Sequence, residues 1–434
     1  MPEQTDQYRI QGLGISELAE EFGTPLYVYD GDLLRDRLTA LRTALHPGLE
    51  IVYSLKSNPN VAICAQLHEH GAGAEVSSMA ELLTSRWAGV DPQDIVFLGP
   101  GKSAAEITAC LDMKIHALIC ESVQELALID RLAGERGISA PVALRVNPNF
   151  QVKGSGLTMG GKPRQFGIDE NELAGGAALG PQYPNVRFIG VQVYMGTRIL
   201  DEATIAHNTE EIFALADRLA ARHGFDLELV DIGGGLGVAY FEGERDLDVA
   251  VLAEQLNPVL DAFAQAHPRT RLLMELGRYL TAPTGTYVTR VRYTKTSFGE
   301  RFAVADGGTN HHMAAVGLGS FVKRNFPMAL LSRADGTGPG SGETESWQVT
   351  GPLCTPNDTI GRNVALPPLR PGDLVGVLRS GAYGPTASPV FFLSHGYPAE
   401  VLVLDGRAHL IREPDRPEEL LVKQRLPVSG GQTD

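Results

Sequence analysis

Short apolar runs rich in β-branched residues recur along the first two-thirds of the chain. Most are followed by a stretch with helical spacing. The runs are Glu50–Ser57, Gly73–Ser78, Ile95–Gly99, His116–Ser122, Val142–Pro148, Phe188–Gly196, Leu227–Gly233 and Leu272–Gly277. Segments between them, such as Ala80–Ala88 and Val123–Gly137, read as helices. Eight strand–helix units in about 250 residues is the size of a (β/α)8 barrel of the TIM type. Periodicity alone does not separate this from a doubly wound open sheet. The count of eight, with polar residues at most strand ends, favours the barrel.

The pattern changes after about Tyr287. Short alternating runs take over at Tyr287–Tyr293, Phe302–Ala305, Glu345–Val349, Leu374–Leu378 and Glu400–Leu404, divided by turns such as Gly336–Gly342 and Pro367–Gly372. This predicts a second, all-β domain of sandwich or barrel type. An N-terminal run, Leu26–Tyr29, is also strand-like and joins that sheet in this reading. The division is therefore a barrel over residues 30–286 and a β-domain from 1–29 and 287–434. Phe150–Arg164, rich in glycine, is long enough to predict a mobile active-site segment. Val428–Asp434 reads as a disordered tail.

Composition narrows the class. A chain of 434 residues with 43% hydrophobic and 21% charged residues is an ordinary globular protein of more than one domain. Its net charge of -15 argues against nucleic acid as a partner, because phosphate backbones require clustered Lys and Arg. Cys64, Cys110, Cys120 and Cys354 are widely spaced, which suits reduced thiols and offers no metal-binding pattern. The start carries no signal sequence, and no apolar run is long enough for a membrane span. A cytoplasmic enzyme without metal or membrane partner is the expectation.

Barrel enzymes act at the C-terminal ends of their strands. Lys56 sits at such an end, within Tyr53-Ser54-Leu55-Lys56-Ser57-Asn58-Pro59. A lysine there is ordinarily a snorkelling surface residue. A partly desolvated one has a lowered pKa and becomes a nucleophilic amine, as Schiff-base chemistry requires. Asp231-Ile232-Gly233-Gly234-Gly235-Leu236-Gly237 follows another apolar run, and glycines let backbone N–H groups approach a phosphate. In Met274-Glu275-Leu276-Gly277-Arg278, an acid and an arginine three apart suit a pyridinium nitrogen and a phosphate, though a local ion pair has the same appearance. Cys354, in Gly351-Pro352-Leu353-Cys354, and Tyr383, in Ser380-Gly381-Ala382-Tyr383-Gly384, lie in tight turns of the β-domain.

Taken together and in this order, these residues resemble the fold-type III pyridoxal-phosphate-dependent decarboxylases, the diaminopimelate and ornithine decarboxylase family, from about Thr24 to Val403. The resemblance implies a barrel plus β-domain and a head-to-tail homodimer with shared active sites. It implies Lys56 as the Schiff-base lysine for pyridoxal 5'-phosphate and Glu275 as partner of the ring nitrogen. Gly235, Arg278 and Thr197 would hold the phosphate, with Tyr383 joining from the second subunit. Cys354, also from that subunit, would return the proton to Cα. Glu75 matches a position usually filled by Asp near the cofactor. An alanine-racemase-like enzyme shares the barrel and lysine but uses a tyrosine base where this chain has Cys354. An inactive cofactor-binding relative would not be expected to retain Lys56, Glu275, Arg278 and Cys354.

Departures from the family pattern bear on the substrate. Tyr194 stands where the family has a histidine stacked on the cofactor ring, and it cannot carry an imidazolium charge. Thr355 follows the cysteine, where diaminopimelate and ornithine enzymes have an acid for the substrate's distal ammonium. Ala314 stands where an arginine for a distal carboxylate is expected. A free diamino acid would then bury an unpaired charge, so the expected substrate has a neutral or conjugated distal end. Two subgroups share the Cys354-Thr355-Pro356-Asn357-Asp358 stretch and the Met159–Gly167 segment. One resembles the butirosin-type glutamyl-carrier-protein decarboxylase, to which Tyr194–Thr197 also corresponds. The other resembles siderophore-pathway enzymes acting on citryl-diaminopropionate. His311 and His312 are read as substrate contacts or, equally, as satisfied loop histidines. Arg290 and Arg292 alternate on one strand face, which suits a solvated surface more than an acidic carrier.

Overall fold

The computed structural model describes residues 7–151, 157–158, 160–316, 324–340 and 343–427. The eight apolar runs form eight parallel strands, β1 (Leu49–Ser54), β2 (Gly73–Val76), β3 (Ile95–Phe97), β4 (Ala117–Cys120), β5 (Ala140–Asn147), β6 (Val186–Gln192), β7 (Leu229–Gly234) and β8 (Arg271–Leu276). Each pairs with its successor, and β8 returns to β1 with Leu272 opposite Leu49, so the sheet closes. The open-sheet alternative is thereby excluded. Strands buried on both faces read as continuous apolar runs rather than alternating ones, which is why eight segments are legible. Val52, Val96, Ile119, Ala143, Ile189, Leu229 and Leu273 pack together as part of one core cluster.

Polar residues after the strands have two uses, and capping is one of them. Ser78 accepts from Glu81 N–H at the start of helix Met79–Trp87, and Ser122 from Glu125 N–H before Val123–Arg136. Asp201 and Asp248 cap Glu202–His223 and Val249–Ala266 in the same way. Such caps contribute about 1 kcal/mol each. The remaining strand-end polar residues are available for chemistry.

The chain divides into two compact units, each described by itself. One comprises Met1–Tyr29, Thr286–Leu378 and Gly384–Asp434; the other is Asp30–Gly285 with Arg379–Tyr383. Five residues from late in the chain therefore belong with the barrel, which differs from the division drawn on sequence. In the β-unit the strand order runs Thr359–Leu366, Glu345–Thr350, Glu300–Ala305, Gly285–Ser297, Leu26–Asp30, Ala399–Leu404 and Arg407–Arg412. Leu374–Val377 pairs with Gly285–Ser297 and with Met328–Ser332. Leu26, Val28, Val288, Leu331, Leu374, Val401 and Val403 form part of its core.

The proposed mobile loop at Phe150–Arg164 falls partly on residues 152–156 and 159, outside the described residues, as does the tail from Val428. Of the remainder, Leu157–Thr158 pairs antiparallel with Gly196–Thr197, and Gly161 N–H donates to Asn147 Oδ1.

Candidate active site

Strand β1 ends at Ser54 and turns through a single 3-10 turn, Leu55–Ser57, which holds Lys56 at the barrel's C-terminal end. The neighbouring strands β2 and β8 each contribute a carboxylate. Lys56 Nζ lies 2.8 Å from Glu75 Oε2 and 3.9 Å from Glu275 Oε2. Burial would lower the Lys56 pKa, but Glu75 and then Glu275 outweigh it and hold the ammonium above its ordinary range. The lowered lysine pKa suggested by desolvation is thus corrected: the two acids keep this amine protonated. Burial works against ionisation of Glu75, and Lys56 overcomes it. Ser77 Oγ donates to Glu75 Oε1 at 2.9 Å. Behind it stands Glu81, whose Oε2 accepts Ser77 N–H at 2.7 Å; burial and the Glu75 charge push its carboxyl up to about 7.

Glu275 is buried, and Gln192 Nε2 donates to its Oε1 at 2.7 Å. Burial and the Glu75 charge raise its pKa. The Tyr194 ring centroid lies 5.7 Å from Lys56 Nζ, and burial pushes its hydroxyl up to about 12, so it stays neutral.

On the other side of Lys56 the glycine turn follows β7. Gly235 has φ +98°, and a Cβ there would sit 2.1 Å from Gly196 O, so only glycine lets this backbone lie against the Gly196–Thr197 turn. Arg278 opens a short helix at Arg278–Thr281. Its Nη1 donates to Tyr240 Oη at 3.1 Å, and its guanidinium lies 4.5 Å over the Tyr383 ring. Thr197, Gly235, Glu275, Arg278 and Tyr383 line one pocket with Lys56.

Tyr383 requires a correction. It stands at the Lys56 pocket of its own chain, not in a partner's. Ser380 N–H donates to Gly285 O, Gly381 N–H to Ala282 O and Tyr383 N–H to Ser57 O, while Asn58 Nδ2 donates to Gly381 O. Arg379 Nη1 reaches both oxygens of Asp246 at 2.7 and 2.8 Å. These bonds fasten Arg379–Tyr383 to the barrel.

Cys354 and Thr355 lie in the β-unit, the thiol exposed and the threonine half-buried. Asp358 shapes their loop: its Oδ1 accepts from Thr309 N and Oγ1 at 2.7 and 2.9 Å, and its Oδ2 from Leu353 N at 2.7 Å. His311 and His312 are also corrected. Both are buried within the β-unit. His311 Nε2 lies 3.0 Å from Gly396 O, and His312 packs edge-on against Tyr27, Tyr287 and Phe326. Burial pushes them down to about 4 and about 3, so they are neutral core residues and not substrate contacts. Arg290 is half-buried and donates to Gly372 O, whereas Arg292 is exposed.

Several site residues escaped the sequence reading. Gln192 and Asp231 stand beside Glu275, and Arg379 and Asp246 hold Tyr383. The Asp231 signal was the first letter of the glycine motif, read only for its glycines. A roomier cavity, about 620 Å³, lies among the N-terminal ends of β3 to β7 near His116, Arg187 and Glu228. It contains none of these residues and lies at the end of the barrel where such enzymes do no chemistry. Among the described residues no His, Cys, Asp and Glu group is arranged to hold a metal ion. No helix there is long and apolar enough to cross a membrane.

The pocket fits the pyridoxal phosphate that the resemblance implies. Buried Arg278 Nε has no hydrogen-bond partner among the described residues, the Gly235 turn leaves a cradle that a side chain would fill, and a primary amine lies between two carboxylates. These are the donor, backbone approach and acid required by a phosphate, a carbonyl and a ring nitrogen.

Comparison with known proteins agrees. Residues 32–282 match the family described as pyridoxal-dependent decarboxylase, pyridoxal binding domain. The chain is 38% identical to L-glutamyl-[BtrI acyl-carrier protein] decarboxylase of Niallia circulans, over 94% of this chain and 96% of that protein. It is 30% identical to diaminopimelate decarboxylase of Aquifex aeolicus, over 93% and 92%. The crystal structure of diaminopimelate decarboxylase from Helicobacter pylori complexed with L-lysine is similar at a TM-score of 0.82 and 29% identity, over 94% and 98%.

Proposed function

We propose, from the premise that the chain belongs to the pyridoxal-dependent decarboxylase family and is a pyridoxal-phosphate-dependent carboxy-lyase, that it decarboxylates an amino acid whose distal end is neutral or conjugated. The observation that carries this is Thr355 beside Cys354, together with Ala314. Neither carries a charge to form an ion pair with a distal ammonium or carboxylate. The relative from Niallia circulans, by its name, acts on a glutamyl group carried by an acyl-carrier protein. A carrier-tethered or otherwise conjugated amino acid is the substrate class this supports, in a biosynthetic pathway.

When bound, pyridoxal phosphate supplies an electron sink for the carbon that loses CO2. Lys56 would be its covalent anchor. Arg278, Thr197, Gly235 and Tyr383 would hold its phosphate, and Tyr194 would pack against its ring. Glu275 would keep the ring nitrogen protonated by stabilising its positive charge. Glu75 holds the Lys56 ammonium in place, and the amine becomes reactive once that proton is lost to solvent. After CO2 leaves, Cys354 of a partner subunit would donate its thiol proton to Cα, and its thiolate would be reprotonated from solvent. A homodimer with shared sites follows from that role of Cys354 and is part of the same proposal.

The test compares kcat/KM for free diaminopimelate, ornithine and lysine with that for glutamyl-carrier protein and citryl-diaminopropionate. A conjugate should be the far better substrate. Efficient turnover of a free diamino acid with neither conjugate accepted would overturn the assignment.

A further inference from the structure

Three polar residues stand on adjacent barrel strands at the catalytic end. Gln192 on β6 is in register with Asp231 on β7, and Glu275 on β8 is in register with Gly234. All three are buried, at 0%, 0% and 3% exposure. Gln192 covers one oxygen of Glu275. Asp231 Oδ1 accepts Gly233 N–H at 2.9 Å, while Asp231 Oδ2 accepts no hydrogen bond. Asp231 pairs in register with Leu273, two residues before Glu275 on the neighbouring strand, so both acids face the barrel interior, and the Glu275 charge adds to burial in raising the Asp231 pKa.

Two buried carboxyls on adjacent strands disfavour double ionisation, and a proton on one of them lets it donate a hydrogen bond to the other. Their surroundings decide where it resides. Lys56 and Arg145 favour the ionised form of Glu275, against burial and Glu75. Asp231 has only the Gly233 N–H in its favour, while burial, Glu275 and Glu75 oppose its ionisation.

We infer that Asp231 is a positioning residue that carries the shared proton and donates it in a hydrogen bond to Glu275. Together with Gln192, it holds Glu275 as an oriented carboxylate for the cofactor's ring nitrogen. The inference rests on the role proposed above for Glu275. Asp231 need not touch the cofactor, because it acts on the charge state of the group that does.

Infrared difference spectroscopy of the loaded enzyme, in H2O and D2O, tests this directly. At neutral pH, in a Glu81→Gln background, which removes the other carboxyl that is partly protonated near pH 7, the parent should have the carbonyl stretch of a buried protonated carboxylic acid, and Asp231→Asn should lack it. No such band in the parent, or one that survives in Asp231→Asn, overturns the inference. Cofactor affinity gives a second readout. Asp231→Asn keeps a neutral donor and should stay within about threefold of the parent Kd, whereas Asp231→Ala should weaken binding about tenfold or more. Equal damage by both variants, in protein folded by circular dichroism, counts against a donor role. If Asp231→Ala does not fold, the infrared measurement on parent and Asp231→Asn still decides. An error in the role of Glu275 would show separately, as an unchanged visible cofactor band in Glu275→Gln.

Discussion

Lys56 Nζ and Glu75 Oε2 stand 2.8 Å apart, with the carboxylate fully buried and the lysine side chain 37% exposed. Glu75 therefore dominates the charge state of the amine. Cofactor attachment requires a neutral Lys56, so its rate should rise with pH in the parent. In Glu75→Gln only Glu275, at 3.9 Å, continues to favour the ammonium. The midpoint of that rise should move down by about one pH unit or more. Stopped-flow absorbance on cofactor-free protein measures this, and an unmoved midpoint would show that Glu75 does not control the amine.

Lys56→Ala should lose the visible band of the attached cofactor and almost all turnover, because no other described lysine lines this pocket. A spectrum and activity equal to the parent's would refute the covalent assignment.

Cys354→Ala should bind the cofactor normally and turn over slowly or with side products, because the proton is needed only after CO2 has left. Mixing inactive Lys56→Ala with Cys354→Ala should restore activity through hybrid dimers. Proven subunit exchange without recovery would argue against a shared site.

The Glu81 carboxyl titrates near 7 in the folded chain against 4.5 ordinarily. Between these values the folded state binds more protons than the unfolded one, so this group's contribution to stability falls as pH rises from about 4.5 to about 7. Glu81→Gln should flatten that slope, by on the order of 2 kcal/mol across the window. Urea denaturation at a series of pH values measures it, and parallel parent and mutant profiles would contradict the assignment.

Arg379→Ala removes the tie to Asp246 and should raise the cofactor Kd by about two- to fivefold, a modest figure because the pair is about one-third exposed. Fluorescence titration with pyridoxal phosphate reads the change; an unaltered Kd would mean that the backbone bonds alone fix Tyr383.

The barrel is legible because its strands are buried on both faces, so Ile51–Tyr53 or Ile95–Phe97 cannot be taken for loop. Met328–Ser332, Thr359–Leu366 and Arg407–Arg412 are not. The first is a run of only four apolar residues before Ser332, too short to display a period, and the second carries Arg362-Asn363 in its middle. The third is an edge strand with no buried residue. Lys56 and Glu275 are found by position, at the ends of their strands. Asp231, Gln192 and Arg379 are not, because each matters only through a neighbour on another strand or loop. His311-His312 misleads in the opposite direction: two adjacent imidazoles suggest solvent and ligand, yet the aromatic interior of the β-unit absorbs both.

Tyr383 reaches its place on the barrel from far along the chain. On the ribosome, β8 is finished about a hundred residues before Tyr383 is made, and domains otherwise tend to fold as they emerge. The closed barrel thus waits, with its phosphate end unfinished, until all but the last two strands of the β-unit have been translated. Gene fragments that stop after residue 285 supply every barrel strand yet encode an incomplete cofactor pocket.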